Sequence, residues 1–209
     1  MQNIKDTHYI VDACRGFSEK GCPNRVAPDH NLLVQLDGVI SGSPWKKNMT
    51  IKAGTGLKAH EKMKLSLSGC PNGCSRPHIY DMGIIGAVRP LVNSSLCTGC
   101  RVCADVCREE AISIVDDKAV ISPDKCLLCG ECIPVCPEEA ITSHEQGYRI
   151  VVGGRLGRHP RLARELKGLY SLEQAKLILW RLTHMHQTAF DQGVRLSSLI
   201  FQLRLPTTI

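Results

Sequence analysis

Residues 68–86 read SGCPNGCSRPHIYDMGIIG, and the two cysteines of this stretch lie four residues apart. The spacing of Cys70 and Cys74 differs from the C-x-x-C of zinc ribbons and thioredoxins and from the C-x-x-C-x-x-C of ferredoxins. Pro71 stiffens the loop and removes a backbone N–H, and Gly73 permits a positive φ and a close approach to a bound group. We therefore expect two thiolates of one metal centre whose other ligands lie elsewhere in the chain.

The length and composition are those of an ordinary globular protein. The chain has 209 residues, of which 43% are hydrophobic and 22% charged, enough for one or two cores. No stretch approaches the roughly 20 apolar residues that span a bilayer, and the N-terminal sequence MQNIKDTHYIVDA lacks a signal-peptide pattern. We therefore expect no membrane insertion and a cytoplasmic location.

Twelve cysteines are the exceptional feature of the composition. In a cytosolic chain, clustered cysteines bind metal more often than they form disulfides. An internal repeat accounts for eight of them: LCTGCRVCADVCREEAI at 96–112 returns as KCLLCGECIPVCPEEAI at 125–141, displaced by 29 residues. Each copy has the C-x-x-C-x-x-C-x-x-x-C pattern of two-cluster bacterial ferredoxins.

The repeat predicts two four-iron clusters that exchange one ligand. Three cysteines at steps of three wrap around one cluster, and the fourth reaches the other cluster. The predicted ligand sets are Cys97, Cys100, Cys103 and Cys136 for one cluster, and Cys126, Cys129, Cys132 and Cys107 for the other. The alternative is two zinc sites. Between the copies, ISIVDDKAVIS alternates and predicts a hairpin that turns at 116–118.

Four cysteines remain outside the repeat: Cys14, Cys22, Cys70 and Cys74. Four thiolates are what a third [4Fe-4S] cluster needs, and the alternative is a set of buried apolar thiols. Three stretches here resemble the siroheme-dependent sulfite and nitrite reductases. They are the opening stretch at 68–86, ACRGFSEKGCPNR at 13–25 and VVGGRLGRHPRLARELKG at 151–168.

The resemblance extends over about residues 8 to 205 and implies a specific set of cofactors. It implies that the four cysteines bind a [4Fe-4S] cluster and that Cys74 also ligates the iron of siroheme. The inserted repeat resembles short anaerobic and dissimilatory-type sulfite reductase subunits. Two features depart from the family: Cys14 and Cys22 are spaced C-x7-C rather than C-x5-C, and only thirteen residues precede Cys14. The family's substrate-binding arginines and lysines therefore cannot be carried over, and a partner subunit or a second copy is expected to complete the siroheme pocket.

The basic residues give candidate partners for the siroheme carboxylates. The formal charge is +6, and three clusters with four thiolates each, at about −2 per cluster, would cancel it. The surplus therefore predicts an internal counter-charge rather than a nucleic-acid surface. The candidates, with solvated surface residues as the alternative, are Arg76, Arg155, Arg158 and Lys52.

The pattern of elements predicts an α+β fold. Strands are expected at 32–36, 63–67, 83–88 and 148–152, a capped helix at 171–190 and a short helix at RLARELK, 161–167. Residues 1–90 and 144–209 are expected to form one discontinuous sulfite/nitrite reductase siroheme–[4Fe-4S] domain. A 2[4Fe-4S] ferredoxin-like insert at 91–143 interrupts it.

Two hypotheses of function follow. The first is a siroheme and iron–sulfur oxidoreductase, or its catalytic subunit, which reduces sulfite to sulfide with electrons passed through the insert from a ferredoxin or reductase subunit. Nitrite is the alternative substrate. The second is an iron–sulfur electron-transfer protein that has lost siroheme.

Overall fold

The computed structural model of the chain describes residues 2–53 and 57–202, so the outermost ends of the predicted segments 1–90 and 144–209 lie outside the described residues. The strands are β1 (Gln2–Lys5), β2 (Tyr9–Ala13), β3 (Met63–Ser68), β4 (Met82–Val92), β5 (Ile112–Val115), β6 (Lys118–Ile121), β7 (Ile141–Val152) and β8 (Arg164–Glu165). The helices are α1 (Leu32–Ser41), α2 (Pro44–Ala53), α3 (Val102–Val106), α4 (Leu172–Asp191) and α5 (Leu196–Gln202).

The main sheet has the strand order β1-β2-β3-β4-β7-β8. Its centre is parallel, from β2 through β3 to β4, and the outer pairs are antiparallel. The predicted mixture of strands and helices without regular alternation is confirmed. Among the described helices, none is long and apolar enough to cross a membrane.

One face of the sheet packs on α1, α4 and α5. Alternate strand residues, such as Val11, Leu65 and Ile84, join this core because successive side chains of a strand point to opposite faces. Trp45 of α2 is buried, and its indole N–H donates to Nδ1 of the His186 ring on α4 at 3.3 Å. The other face of β3 carries Ser66 and Ser68, which contact the segment that connects β3 to β4.

The helix predicted at 171–190 is confirmed as α4. Ser171 and Gln174 form the predicted capping box, which satisfies two backbone N–H groups at the helix start. The strand predicted at 32–36 is wrong, since this segment begins α1. Its buried residues Leu32, Leu33, Leu36 and Ile40 recur at the spacing of one helix face.

The helix predicted at 161–167 is also wrong, because the backbone of this segment pairs with neighbouring strands and loops. Arg161 exchanges two backbone hydrogen bonds with Arg155, at 2.9 and 3.0 Å, and Ala163 donates to the carbonyl of His78 at 2.7 Å. The short strand β8 then pairs with β7. These partners replace the i to i−4 bonds that a helix would need.

A long antiparallel pair, β4 with β7, extends from the main sheet and brackets the cysteine repeat. The segment between them contains the β5–β6 hairpin, which turns at Asp116 and Asp117 and so confirms the predicted turn. This segment has its own small hydrophobic cluster, separate from the main core, around Cys103, Ala119, Cys132 and Ile141. Its backbone meets the sheet where Val88 donates to the carbonyl of Leu128 at 2.9 Å.

Two glycines give a matched test of this packing. A Cβ added at Gly86 of β4 would lie 2.5 Å from the carbonyl oxygen of Gly69 and 2.6 Å from the backbone N of Ala27, whereas one added at Gly38 of α1 meets nothing within 4 Å. We expect Gly86→Ala to lower the free energy of unfolding by at least the roughly 1–3 kcal/mol typical of overpacking. Gly38→Ala should raise it by about 0.5–1 kcal/mol, since alanine favours a helix interior.

Chemical denaturation of both variants under anaerobic conditions measures these changes. A Gly86→Ala protein as stable as the wild type would show that β4 does not approach the Gly69 loop this closely.

Candidate metal centres

The four cysteines outside the repeat lie together at one edge of the main sheet. Cys14 follows β2 and Cys70 follows β3, and the carboxyl ends of these adjacent parallel strands meet at the same edge. The Cys14 sulfur accepts backbone N–H groups from Gly69 at 3.2 Å and from Gly16 at 3.4 Å. Backbone donors to cysteinyl sulfur are a common feature of iron–sulfur sites.

The thiols of this group influence one another. Burial raises the pKa of Cys70, and the neighbouring Cys14, Cys74 and Cys22 raise it further. The backbone N–H of Asn24 and the side chain of Arg15 lower the pKa of Cys22. Cys14 is buried, Cys22 and Cys70 are half-buried, and Cys74 is exposed with its sulfur 3.4 Å from Nδ2 of Asn72.

The segment 69–81 crosses the sheet face from this edge to the start of β4. Gly73 takes the left-handed conformation, with φ of 63°, and so does Arg76, with φ of 59°. Ser75 lies buried between them, where its hydroxyl donates to the carbonyl of Leu67 at 2.8 Å and its carbonyl accepts from Ser66 Oγ at 2.7 Å. These bonds anchor the residue that follows Cys74 to β3, and the chain then continues toward the opposite edge.

The 29-residue repeat is also a repeat of backbone geometry, which the sequence pattern did not reveal. Left-handed φ values occur at three matched pairs of positions: Gly99 and Leu128, Arg101 and Gly130, and Glu110 and Glu139. Matched turn hydrogen bonds run from the N–H of Cys107 to the carbonyl of Ala104 and from the N–H of Cys136 to the carbonyl of Ile133. The two copies therefore fold alike even where a non-glycine residue stands in the left-handed region.

The fourth cysteine of each copy lies near the first three cysteines of the other copy. Cys97, Cys100, Cys103 and Cys136 line one small pocket. In the second group, burial is the main cause that raises the pKa of Cys129, and Cys126 and Cys107 contribute to the rise. Burial likewise raises the pKa of Cys132 to about 12.

Backbone donors also reach these two groups. Ala119 N donates to the Cys97 sulfur at 3.3 Å, and Ala111 N donates to the Cys107 sulfur at 3.4 Å. Within residues 2–53 and 57–202, no three His, Cys, Asp or Glu side chains form a group that could hold a single metal ion. Each of the three groups instead brings four thiols near one another. Backbone N–H groups donate to the sulfurs of Cys14, Cys97 and Cys107, and this donor set fits a four-iron cluster.

A cavity of about 790 Å³ lies at the edge of the sheet opposite Cys14 and Cys70. It is bounded by the starts of β3 and β4, the Gly154–Gly157 loop after β7, and the segment between α4 and α5. Five cationic side chains line it: Lys62, Lys64, Arg76, Arg155 and Arg195. Such a set suits a ligand with several carboxylates or another anion.

Asp81 is the carboxyl group of this cavity with the most altered acidity. Its Oδ2 accepts the backbone N–H of Lys64 at 2.9 Å. Burial raises the pKa of Asp81 to about 7, against the lowering effects of the Lys64 N–H and of the Lys64 and Arg195 charges. Burial also lowers the pKa of His186 to about 4, so this ring is neutral at pH 7.

The predicted basic residues divide between the cavity and the surface. Arg76 and Arg155 line the cavity, and Arg155 also donates to Ser198 Oγ at 3.1 Å. Arg158 and Lys52 do not line the cavity. Arg158 is exposed, and Lys52 pairs with Asp191.

Four other residues of the cavity are not among the four candidates that the sequence singled out. Asp81 and Arg195 lie in no motif, and Lys62 and Lys64 are simply two of several basic residues before the Cys70 loop. No local pattern indicates which strand ends and loops meet, so no signal in the sequence could have found them together.

The raised pKa of Asp81 leads to a prediction about how stability depends on pH. Its folded-state pKa lies above its ordinary value of 3.8, so the native state binds more protons between about pH 4 and 7, and this group lowers stability as the pH rises through that window. Asp81→Asn should therefore lose less stability between about pH 5.5 and 8 than the wild type. Anaerobic thermal unfolding measures the difference. The exposed Asp124→Asn is the control, and equal slopes for Asp81→Asn and the wild type would contradict the prediction.

Comparison with known proteins agrees with this fold. Residues 36–200 match the family model described as the nitrite and sulphite reductase 4Fe-4S domain. Over 97 residues, 46% of this chain and 16% of the relative, the sequence is 55% identical to a coenzyme F420-dependent sulfite reductase of Methanocaldococcus jannaschii. Over 50 residues, 24% of this chain and 15% of the relative, it is 34% identical to one of the subunits of the anaerobic sulfite reductase of Salmonella typhimurium.

Among solved structures, dissimilatory sulfite reductase I has the same fold, with a TM-score of 0.57 over 94% of this chain and 50% of that one, at 15% identity. The stretches matched in the two curated relatives are about a sixth of the length of those proteins. The family model, in contrast, covers most of the described residues. The chain therefore belongs to the nitrite and sulphite reductase 4Fe-4S domain family, a family of oxidoreductases.

Proposed function

We propose that the chain is a siroheme and iron–sulfur oxidoreductase, or the catalytic subunit of one, that reduces sulfite to sulfide. The observation that carries the proposal is the convergence of Cys14, Cys22, Cys70 and Cys74 at one edge of the sheet. Cys70 and Cys74 lie on the connection that continues to the cationic cavity. Residues 1–90 and 144–209 would form the siroheme–[4Fe-4S] domain, and residues 91–143 a two-cluster, ferredoxin-like insert.

The two groups of the repeat would hold one [4Fe-4S] cluster each. The separate hydrophobic cluster around Cys103 and Cys132 and the matched backbone geometry of the two copies support this assignment. The clusters would supply single-electron transfer. The chain contributes the N–H donors of Ala111 and Ala119, which tune the potentials of such centres. Twelve free thiols suit a reducing compartment such as the cytoplasm.

The third group would hold a further [4Fe-4S] cluster, with Cys74 as the thiolate shared with siroheme. Siroheme, when bound, would supply the iron that binds and reduces the anion. Its peripheral carboxylates would be held by Arg76 and Arg155, whose guanidinium groups match carboxylates with two parallel hydrogen bonds. Arg76 lies two residues after Cys74 and lines the cavity, so one loop reaches both partners.

The remaining groups of the cavity suit an anion whose reduction consumes protons. Lys62, Lys64 and Arg195 would lower the cost of the negative charge. Asp81, with a pKa near 7, can carry a proton at neutral pH and release it to a neighbouring acceptor. These side chains therefore provide both charge compensation and a proton-exchanging group.

Partners complete this proposal. The Salmonella relative is named as a subunit, and we expect the present chain to work with a partner subunit, or with a second copy, that covers the exposed Cys74. A ferredoxin or reductase subunit would deliver electrons to the insert.

One observation favours a second candidate, an electron-transfer subunit without siroheme. The Cys74 thiol is exposed and does not line the cationic cavity. In that case the three clusters would pass electrons to a partner, and the cavity would bind another anion.

Anaerobic purification from a siroheme-producing host separates the two candidates. The main proposal predicts about twelve iron atoms per chain, together with siroheme extractable into acidified acetone and a visible spectrum that sulfite perturbs. About twelve irons without an extractable tetrapyrrole would identify the electron-transfer subunit. A spectrum that responds to nitrite and not to sulfite would identify nitrite as the substrate instead.

Two matched substitutions test the carboxylate partners. Arg76→Gln should reduce the ratio of retained siroheme to iron by roughly tenfold, because it removes one charge-assisted hydrogen bond to a siroheme carboxylate. Lys52→Gln should leave retention unchanged, because Lys52 pairs with Asp191 outside the cavity. The ratio of extracted siroheme to iron measures both effects, and equal retention in the two variants would refute the assignment of Arg76.

A further inference from the structure

We propose that Arg25 donates hydrogen bonds from Nε and Nη2 to the cluster held by Cys14, Cys22, Cys70 and Cys74, and thereby raises the reduction potential of that cluster. This inference rests on the proposed function only in requiring the third cluster. It does not require siroheme or sulfite.

The first observation is that Arg25 has buried donors without an acceptor. Its Nε and Nη2 atoms are shielded from solvent and have no hydrogen-bond partner among the described residues. Its Nη1 lies 2.8 Å from Nδ1 and 2.7 Å from Nε2 of the His30 ring, and the guanidinium lies 5.7 Å from the centroid of the Phe17 ring. Unsatisfied buried donors are rare and costly, so two on one cation indicate an acceptor that the protein chain does not supply.

The second observation is where the side chain lies. A Cβ added at Gly69 would be 3.2 Å from Cγ of Arg25, and one added at Gly16 would be 3.6 Å from its Cδ and 3.3 Å from the Cys14 sulfur. Gly16 and Gly69 are the two residues whose backbone N–H groups donate to that sulfur. The stem of Arg25 therefore packs on the same two glycines that flank the Cys14 ligand.

The third observation concerns charge. No carboxylate forms a salt bridge with Arg25 in the described part of the chain, since the ion pairs there involve other cations. A four-thiolate cluster carries about −2 in its oxidised state and gains one further negative charge on accepting an electron. A cation beside it, with two donor atoms shielded from solvent, stabilises the reduced state more than the oxidised state, which raises the potential.

The position also distinguishes a cluster from a siroheme carboxylate as the acceptor. Arg25 contacts the loop at the carboxyl ends of β2 and β3, beside Cys14. The cationic cavity, where we propose that the carboxylates lie, is at the opposite edge of the sheet. The acceptors nearest to the buried donors would therefore be sulfur atoms of the third cluster.

The test is an EPR-monitored redox titration of anaerobically purified Arg25→Gln, Arg25→Lys and wild-type protein. In Arg25→Gln, one of the three cluster signals should shift to a lower midpoint potential while the other two stay in place. Arg25→Lys keeps the positive charge and loses one of the two donors, so its shift should be smaller than that of Arg25→Gln. The matched control is Arg15→Gln, because Arg15 is exposed and its Nη2 lies 3.9 Å from the Cys22 sulfur; its shift should be the smallest.

A second measurement does not depend on the stability of the variants. Pulsed EPR of wild-type protein labelled with ¹⁵N-arginine should show a guanidinium nitrogen coupled to the third cluster, and Arg15→Lys should retain that coupling. Wild-type protein without the coupling, or Arg25→Gln with about twelve irons and three unchanged potentials, would overturn the inference alone. Wild-type protein with only about eight irons would overturn the third cluster as well.

Discussion

The buried hydrogen bonds of Ser75 hold the crossover between β3 and β4 against the sheet. A parallel pair of strands requires its connection to return across one face, and here that connection carries Cys70, Cys74 and Arg76. The hydroxyl and carbonyl of Ser75 anchor the middle of the connection to β3. The position of two thiols relative to Cys14, and the arrival of Arg76 at the cationic cavity, therefore depend on one short buried contact.

Glycines next to this crossover allow β4 and the loop after β7 to pack closely against it. A side chain at Gly83 would meet Pro77 and Val151 at 2.5 to 2.6 Å, and one at Gly154 would meet the carbonyl of His78 at 2.4 Å. The crossover, β4 and the loop after β7 consequently approach at backbone distance. The crossover therefore packs closely at the cavity end of the strands, and it also carries Cys70 and Cys74, which lie toward the other end.

The cysteine-repeat segment depends on a different kind of interaction. Its hydrophobic cluster is small and consists largely of cysteines with alanine and isoleucine, far less apolar material than the main core contains. A core of this size contributes little stability without a cross-link or a metal. Ligand bonds to the two clusters that we propose here would then be part of what folds the segment. The β4–β7 pair holds its two ends together.

The sequence by itself determined the features that depend on spacing along the chain. The repeat of cysteines, the hairpin at 112–121 and the capping box at Ser171 use local geometry, so they could be predicted without any knowledge of distant residues. Tertiary structure decided the rest. Residues 32–36 became helical because their apolar side chains pack on α4, and residues 161–167 became extended because Arg155, His78 and β7 accept their backbone bonds. The cavity around Asp81 and the buried Arg25 donors likewise exist only where strand ends and loops far apart in sequence meet, which no local pattern specifies.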